Sequence, residues 1–94
     1  MYLHRMGLDG VELVMEIEHA FDIRLPNDAW TEARTIGAVA DVVHDHLSRF
    51  RRSFHPIERA EIVDRVRALT AKQFDVPLES LAENTNFVRD LGMD

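Results

Sequence analysis

The chain has no cysteine. That excludes disulfides and thiolate metal sites, and it leaves the redox compartment open. Only one Trp, one Tyr and five Phe are present, and glycine and proline total four and three. No apolar run approaches the roughly 18 residues of a membrane span. Met1-Tyr-Leu-His-Arg5 lacks the apolar core of a secretory signal, so a soluble, cytoplasmic protein is expected. Positive charge is also scarce: 11 Lys and Arg stand against 17 Asp and Glu, a formal charge of −6. Nucleic acid is therefore a poor partner, and basic protein surfaces are better ones. Ninety-four residues, 46% of them apolar, allow one domain with a small core.

What is present is helical periodicity. In Met6–Phe21, Leu13, Val14, Ile17, Ala20 and Phe21 recur at helical spacing and form one apolar stripe. Asp9, Glu12, Glu16 and Glu18 crowd the remaining surface. The pattern predicts an amphipathic helix entered through a Gly-Asp-Gly turn, with Asp9 and Glu12 at the end where the helix dipole favours acids. Phe21-Asp-Ile-Arg-Leu-Pro26 then reads as an extended loop, with Phe21, Ile23 and Leu25 plugging the core. A short helix near 28–33 is expected, with Trp30 packed inward. Thr35 is a good cap for a helix over 36–48, whose Ile36, Val39, Ala40, Val43 and Leu47 repeat at three and four.

Residues 49–56 break the pattern and reverse the charge, with Arg49, Arg51 and Arg52 close together. This segment reads as a linker closed by Pro56, or alternatively as a small basic docking site. A long helix is expected over Ile57–Phe74, burying Ile62, Val63, Val66, Leu69 and Thr70, with Glu61–Arg65 as an i,i+4 pair. Val76-Pro77 should end it. Leu78–Asp94 reads as a loop anchored by Leu78, Leu81, Phe87, Val88 and Leu91, with turns at Asn84-Thr-Asn86.

Both ends carry one pattern: Arg5-Met-Gly-Leu-Asp9 matches Asp90-Leu-Gly-Met-Asp94. The flanks extend it. Residues 57–94, with Ile62-Val-Asp-Arg-Val66, Phe74-Asp-Val-Pro77 and Asn86–Asp94, resemble the first half of an acyl carrier protein. That half comprises its first helix and the loop leading to Asp-Ser-Leu. Residues 8–48, with Val11–Asp28 and Arg34–Val43, resemble its second half. The halves stand in reversed order, so the chain resembles a circularly permuted acyl carrier protein. Exchange of halves between two copies, giving a homodimer, and a fragment of two tandem carriers are the other arrangements. The resemblance implies an all-α, four-helix bundle of three main helices and one short one, in permuted order.

It also implies a non-catalytic carrier, whose 4′-phosphopantetheine arm is borne by a Ser at the start of the second helix. Here that Ser is absent. Aligning Asp9 with the family's Asp puts Gly10 at the attachment position. Counting back from Phe21 puts Gly7 there. The first register is favoured because the two ends of the chain then align. Neither glycine has a hydroxyl, so no arm is expected. Glu79-Ser80-Leu81 imitates the attachment triplet, but no amphipathic helix follows it, and Ser80 reads as a turn residue. Ser48 and Ser53 have no carrier context.

The expected role is docking, through Asp9, Glu12, Met15, Glu16 and Glu18, on the basic surface of an acyl-processing enzyme of the fatty acid or polyketide type. Val11 reads either as part of that surface or as core. The alternatives are an assembly protein that dimerises by exchanging halves, and a true acyl carrier modified at an unexpected serine. No metal site is expected. His44 and His46 lie two apart on a helix and do not share a face, and His19 reads as a surface variant. No catalytic pair of acids is evident.

Overall fold

The computed structural model of the protein describes residues 2–25, 30, 32–50 and 57–92. Among them the fold is all-α, as expected. Helix α1 spans Tyr2–Phe21, α2 spans Ile36–Phe50 and α3 spans Arg59–Phe74. A 3-10 turn follows at Leu78–Ser80, and one isolated antiparallel bridge joins Thr35 to Asn86. This is consistent with the helical bundle implied by the resemblance. Half of the short helix expected near 28–33 (residues 28, 29 and 31) lies outside the described residues, as do residues 51–56 of the linker.

Helix α1 begins five residues or more before the expected Gly-Asp-Gly turn and runs straight through it. The reason is cooperative. A glycine inside a helix costs only about 1 kcal/mol relative to alanine, less than a fresh helical nucleus. Leu13, Val14, Ile17 and Phe21 are buried, as the spacing requires, whereas Ala20 at the edge of the stripe is exposed. Asp22 ends the helix in the left-handed conformation, with φ 53°. The Ile23 N–H then donates back to the Glu18 carbonyl at 2.9 Å. The chain leaves extended, and Ile23 and Leu25 pack against the core as the alternation suggests. Trp30 is buried as expected.

The start of α2 is fully satisfied. The first four N–H groups of a helix have no partner within it. Here Ala38 N–H donates to Thr35 Oγ1 at 3.1 Å, so Thr35 is the expected cap. Val39 N–H donates to the Thr35 carbonyl, and Ile36 and Gly37 N–H donate to the carbonyls of Thr85 and Glu83 at 3.1 and 2.8 Å. The buried face is the one predicted: Ile36, Val39, Ala40, Val43 and Leu47. The helix continues to Phe50, so Arg49 belongs to it and pairs with Asp45 at 3.3 Å.

Helix α3 starts at Arg59 rather than Ile57, because Glu58 is extended and serves as the N-cap through its carbonyl. Ile57 and Ile62 then take the two positions of a hydrophobic staple, and both belong to the core. Ile62, Val63, Val66 and Thr70 are buried, whereas Leu69 is only partly so, and the Thr70 hydroxyl donates to the Val66 carbonyl at 2.7 Å. Glu61 and Arg65 pair at 3.0 Å. The helix ends just before Val76-Pro77, with Asp75 left-handed at φ 54°.

Beyond α3, Leu81 and Phe87 are buried and Leu91 is partly so. Leu78 and Val88 are not anchors: they are exposed. The Asn86 side chain explains Val88, since its Oδ1 accepts the N–H groups of Val88 and Arg89 and sets a tight turn. Leu78 lies in the 3-10 turn, whose carbonyl is gripped by Arg67 at 3.1 Å.

Helix α3 is the centre of the fold. It packs against both α1 and α2, which among the described residues touch each other little. The core therefore draws Ile62, Val63, Val66, Leu81 and Phe87 from one half of the chain, and Leu13 through Leu47 from the other.

Candidate docking surface on the first helix

One turn of helix places residues three and four apart side by side. Glu12 and Glu16 are therefore neighbours on α1, and Met15 and His19 form the adjoining row. All four are exposed, Met15 to 62%. The backbone of Asp9 is helical one turn before Glu12, and its side chain lies outside the described residues. Val11 is half-buried, at the margin between this face and the core.

Two of the expected acids have partners inside the molecule. Glu12 Oε2 accepts a hydrogen bond from the Gln73 amide at 2.7 Å, which ties α1 to α3. Glu18 is half-buried, and its Oε2 accepts the Leu25 N–H at 3.0 Å. Glu18 thus steadies the chain leaving α1. Glu16 has no hydrogen bond or ion pair among the described residues. The surface that is brought together is Glu12, Met15, Glu16 and His19, with Glu18 turned to its flank.

The expected electrostatics of the helix start require correction. The first turn of α1 begins at Tyr2 and holds no acid, so Asp9 and Glu12 are too far along the helix to complement its dipole. The same continuity bears on an arm. Gly7 and Gly10, the two attachment positions implied by the resemblance, both lie inside α1, and Gly10 is buried. Within a helix each N–H is taken by the carbonyl four residues back. Neither glycine therefore presents a hydroxyl, or an N–H group left free at a helix start, to a phosphate.

Of the serines, Ser80 sits in the 3-10 turn and its hydroxyl donates to the Pro77 carbonyl at 2.7 Å, the turn role expected of it. Ser48 is exposed on α2, and Ser53 lies outside the described residues. His44 and His46 are half-buried rather than fully solvated. Among the described residues no three His, Asp or Glu side chains gather as metal ligands, and no helix is long and apolar enough to cross a membrane. Arg51 and Arg52, the heart of the basic segment, are outside the described residues.

A second polar cluster escaped the sequence reading. Arg59, the first residue of α3, donates to Asp41 Oδ1 and Glu83 Oε1, both at 2.6 Å, and approaches the Gly37 carbonyl at 3.4 Å. Its guanidinium holds the Glu83 carboxyl below the usual glutamate range. Arg67 similarly donates to the carbonyls of Leu78 and Leu81. The available signal was weak. An Arg at the first residue of a helix names no partner 18 or 24 positions away.

No family profile matches the chain, and no solved structure matches it. Curated relatives do match, two acyl carrier proteins among them. Over 41 residues, 44% of its length, the chain is 42% identical to an acyl carrier protein of Phenylobacterium zucineum (strain HLK1). Over 42 residues, 45% of its length, it is 38% identical to an acyl carrier protein of Amoebophilus asiaticus (strain 5a2). In both cases 52% of the relative is covered, so the chain spans about half the length of the curated relatives it matches. Over somewhat less than half its length, therefore, this chain is similar to acyl carrier proteins.

Proposed function

We propose that this protein is a non-catalytic, acyl-carrier-like protein. In this reading it docks on acyl-processing enzymes through the outer face of α1 and carries no phosphopantetheine arm of its own. The observation that carries it is the exposed Glu12–Met15–Glu16 face, together with the similarity to proteins named as carriers. An exposed methionine flanked by acids suits a basic surface with an apolar centre. By helical spacing Asp9, three residues before Glu12, is assigned to the same face in this reading. Glu18 supports the helix end and contributes less to recognition than its charge suggests. The permuted order of the two halves belongs to the same proposal.

Two measurements test it. Incubation with coenzyme A and a phosphopantetheinyl transferase is expected to leave the intact mass unchanged. A gain of one arm at any serine would return the protein to the true carriers. Charge reversal by Glu12→Lys with Glu16→Lys is expected to weaken binding to a basic acyl-processing enzyme by at least about tenfold at low salt. Unchanged affinity would remove α1 as the docking face.

A further inference from the structure

Residues 2–50 and 57–92 meet as two proteins do. The centre of their contact is apolar: Ile17, Phe21, Ile36 and Val43 on one side, Ile62 and Val66 on the other, are all less than 2% exposed. The rim is polar and directional. Gln73 donates to Glu12, and Arg59 donates to Asp41. A buried apolar centre inside a hydrogen-bonded rim is the anatomy of a specific interface.

The contact also has a shaped seat. The carbonyls of Glu83 and Thr85 accept the first two N–H groups of α2, and Phe87 N–H donates to the Arg34 carbonyl at 3.0 Å. Gly37 lies beneath this loop. A Cβ there would stand 2.9 Å from Glu83 Oε1 and 3.2 Å from the Glu83 carbonyl oxygen. A side chain there would have to displace the Glu83 carboxylate and push the loop back slightly. Finally, among the described residues α1 and α2 each pack on α3 more than on one another.

None of these contacts is covalent. We infer that residues 2–50 form a binding surface for the helix-and-loop segment 57–92, and that a second copy of this chain can supply that segment. In the intact chain the tether favours the chain's own segment, because a short link gives an effective concentration of about millimolar. Once the tether is cut, the two sources are equivalent. This surface shares Glu12 with the outer face of α1 but is otherwise separate from it, and its test does not depend on any partner enzyme.

The test uses the full chain with a specific protease site inserted between Arg52 and Ser53, cut after purification. At about 10 μM, where a micromolar interface holds, the two pieces are expected to travel as one 1:1 complex with the helical signal of the uncut chain. Mixing cut protein with an isotopically labelled cut copy is expected to give hybrid complexes by native mass spectrometry, approaching half of the total. Separated, unfolded pieces would overturn the inference, and so would a complex that never exchanges. Gly37→Val, which fills the seat, is expected to weaken the cut complex by about tenfold or more. Equal affinity would remove the loop seat from the recognition. If that variant fails to fold, the exchange between unaltered copies still decides.

Discussion

Two helices of this protein end on nearly the same words. Helix α1 closes with Phe21-Asp22-Ile23 and α3 with Phe74-Asp75-Val76. In both, the Asp takes the left-handed conformation, at φ 53° and 54°. In both, the following N–H reaches back to a carbonyl five residues earlier, Ile23 to Glu18 and Val76 to Ala71. Aspartate tolerates this conformation better than most residues with a side chain, because its short polar side chain can bond locally. The local solution is shared, but the surroundings are not. Phe21 is 2% exposed and lies beneath the Arg65 guanidinium of α3, 5.8 Å from the ring centroid, whereas Phe74 is only half-buried. After α1, an acid holds the departing chain, as Glu18 accepts the Leu25 N–H. After α3, a base holds it, as Arg67 donates to the carbonyls of Leu78 and Leu81. Equal sequence grammar specifies how a helix stops; the neighbouring elements specify what the stop is worth.

The largest separation between the two ends should come from the aromatics. Phe21→Ala is expected to cost about 3–5 kcal/mol by urea denaturation, and Phe74→Ala about 1–3 kcal/mol, in line with their burial. Equal losses would mean that burial does not distinguish the ends. Next come the two holders. Arg67→Ala removes donors to two carbonyls and is expected to cost about 1–3 kcal/mol. Glu18→Ala is expected to cost about 1 kcal/mol, with Glu18→Gln recovering most of it because the amide oxygen still accepts. Should Glu18→Ala leave stability untouched while weakening binding to a basic partner, Glu18 belongs to the docking face after all. The smallest effect tests what the ends share. Asp22→Gly and Asp75→Gly each relieve a left-handed residue and are expected to stabilise by up to about 1 kcal/mol, the relief partly offset by the entropy of glycine. Gains of unequal sign would show that the two stops differ locally as well.

Much of this was legible in the order of residues. The buried faces of α2 and α3, the Thr35 cap, the inward Trp30, and the loop that tucks in Ile23 and Leu25 all follow from spacing and capping chemistry. The start of α1 did not. Gly7 and Gly10 look like turn residues when read locally, yet a helix already formed passes through glycine at small cost. Leu78 and Val88 were misread for a related reason. Hydrophobicity marks a residue as able to be buried, and the Asn86 turn and the Arg67 grip then chose Leu81 and Phe87 instead. On the candidate surface, Glu12, Met15 and Glu16 were legible because helical spacing alone puts them together. The division of labour between Glu16, facing solvent, and Glu18, facing Leu25, was not.

By itself the sequence determined the three helices, most of the stripe each one buries, and the lack of a hydroxyl at residues 7 and 10. These depend on the chemistry of residues a turn or two apart. Only the tertiary structure decided that α3 lies between α1 and α2, that Gly37 is the floor of a loop seat, that Arg59 joins Asp41 to Glu83, and that Glu12 reaches Gln73. Those partners stand between 18 and 61 positions apart in the chain. Local propensity carries no information over that distance; burial of the shared core brings them together.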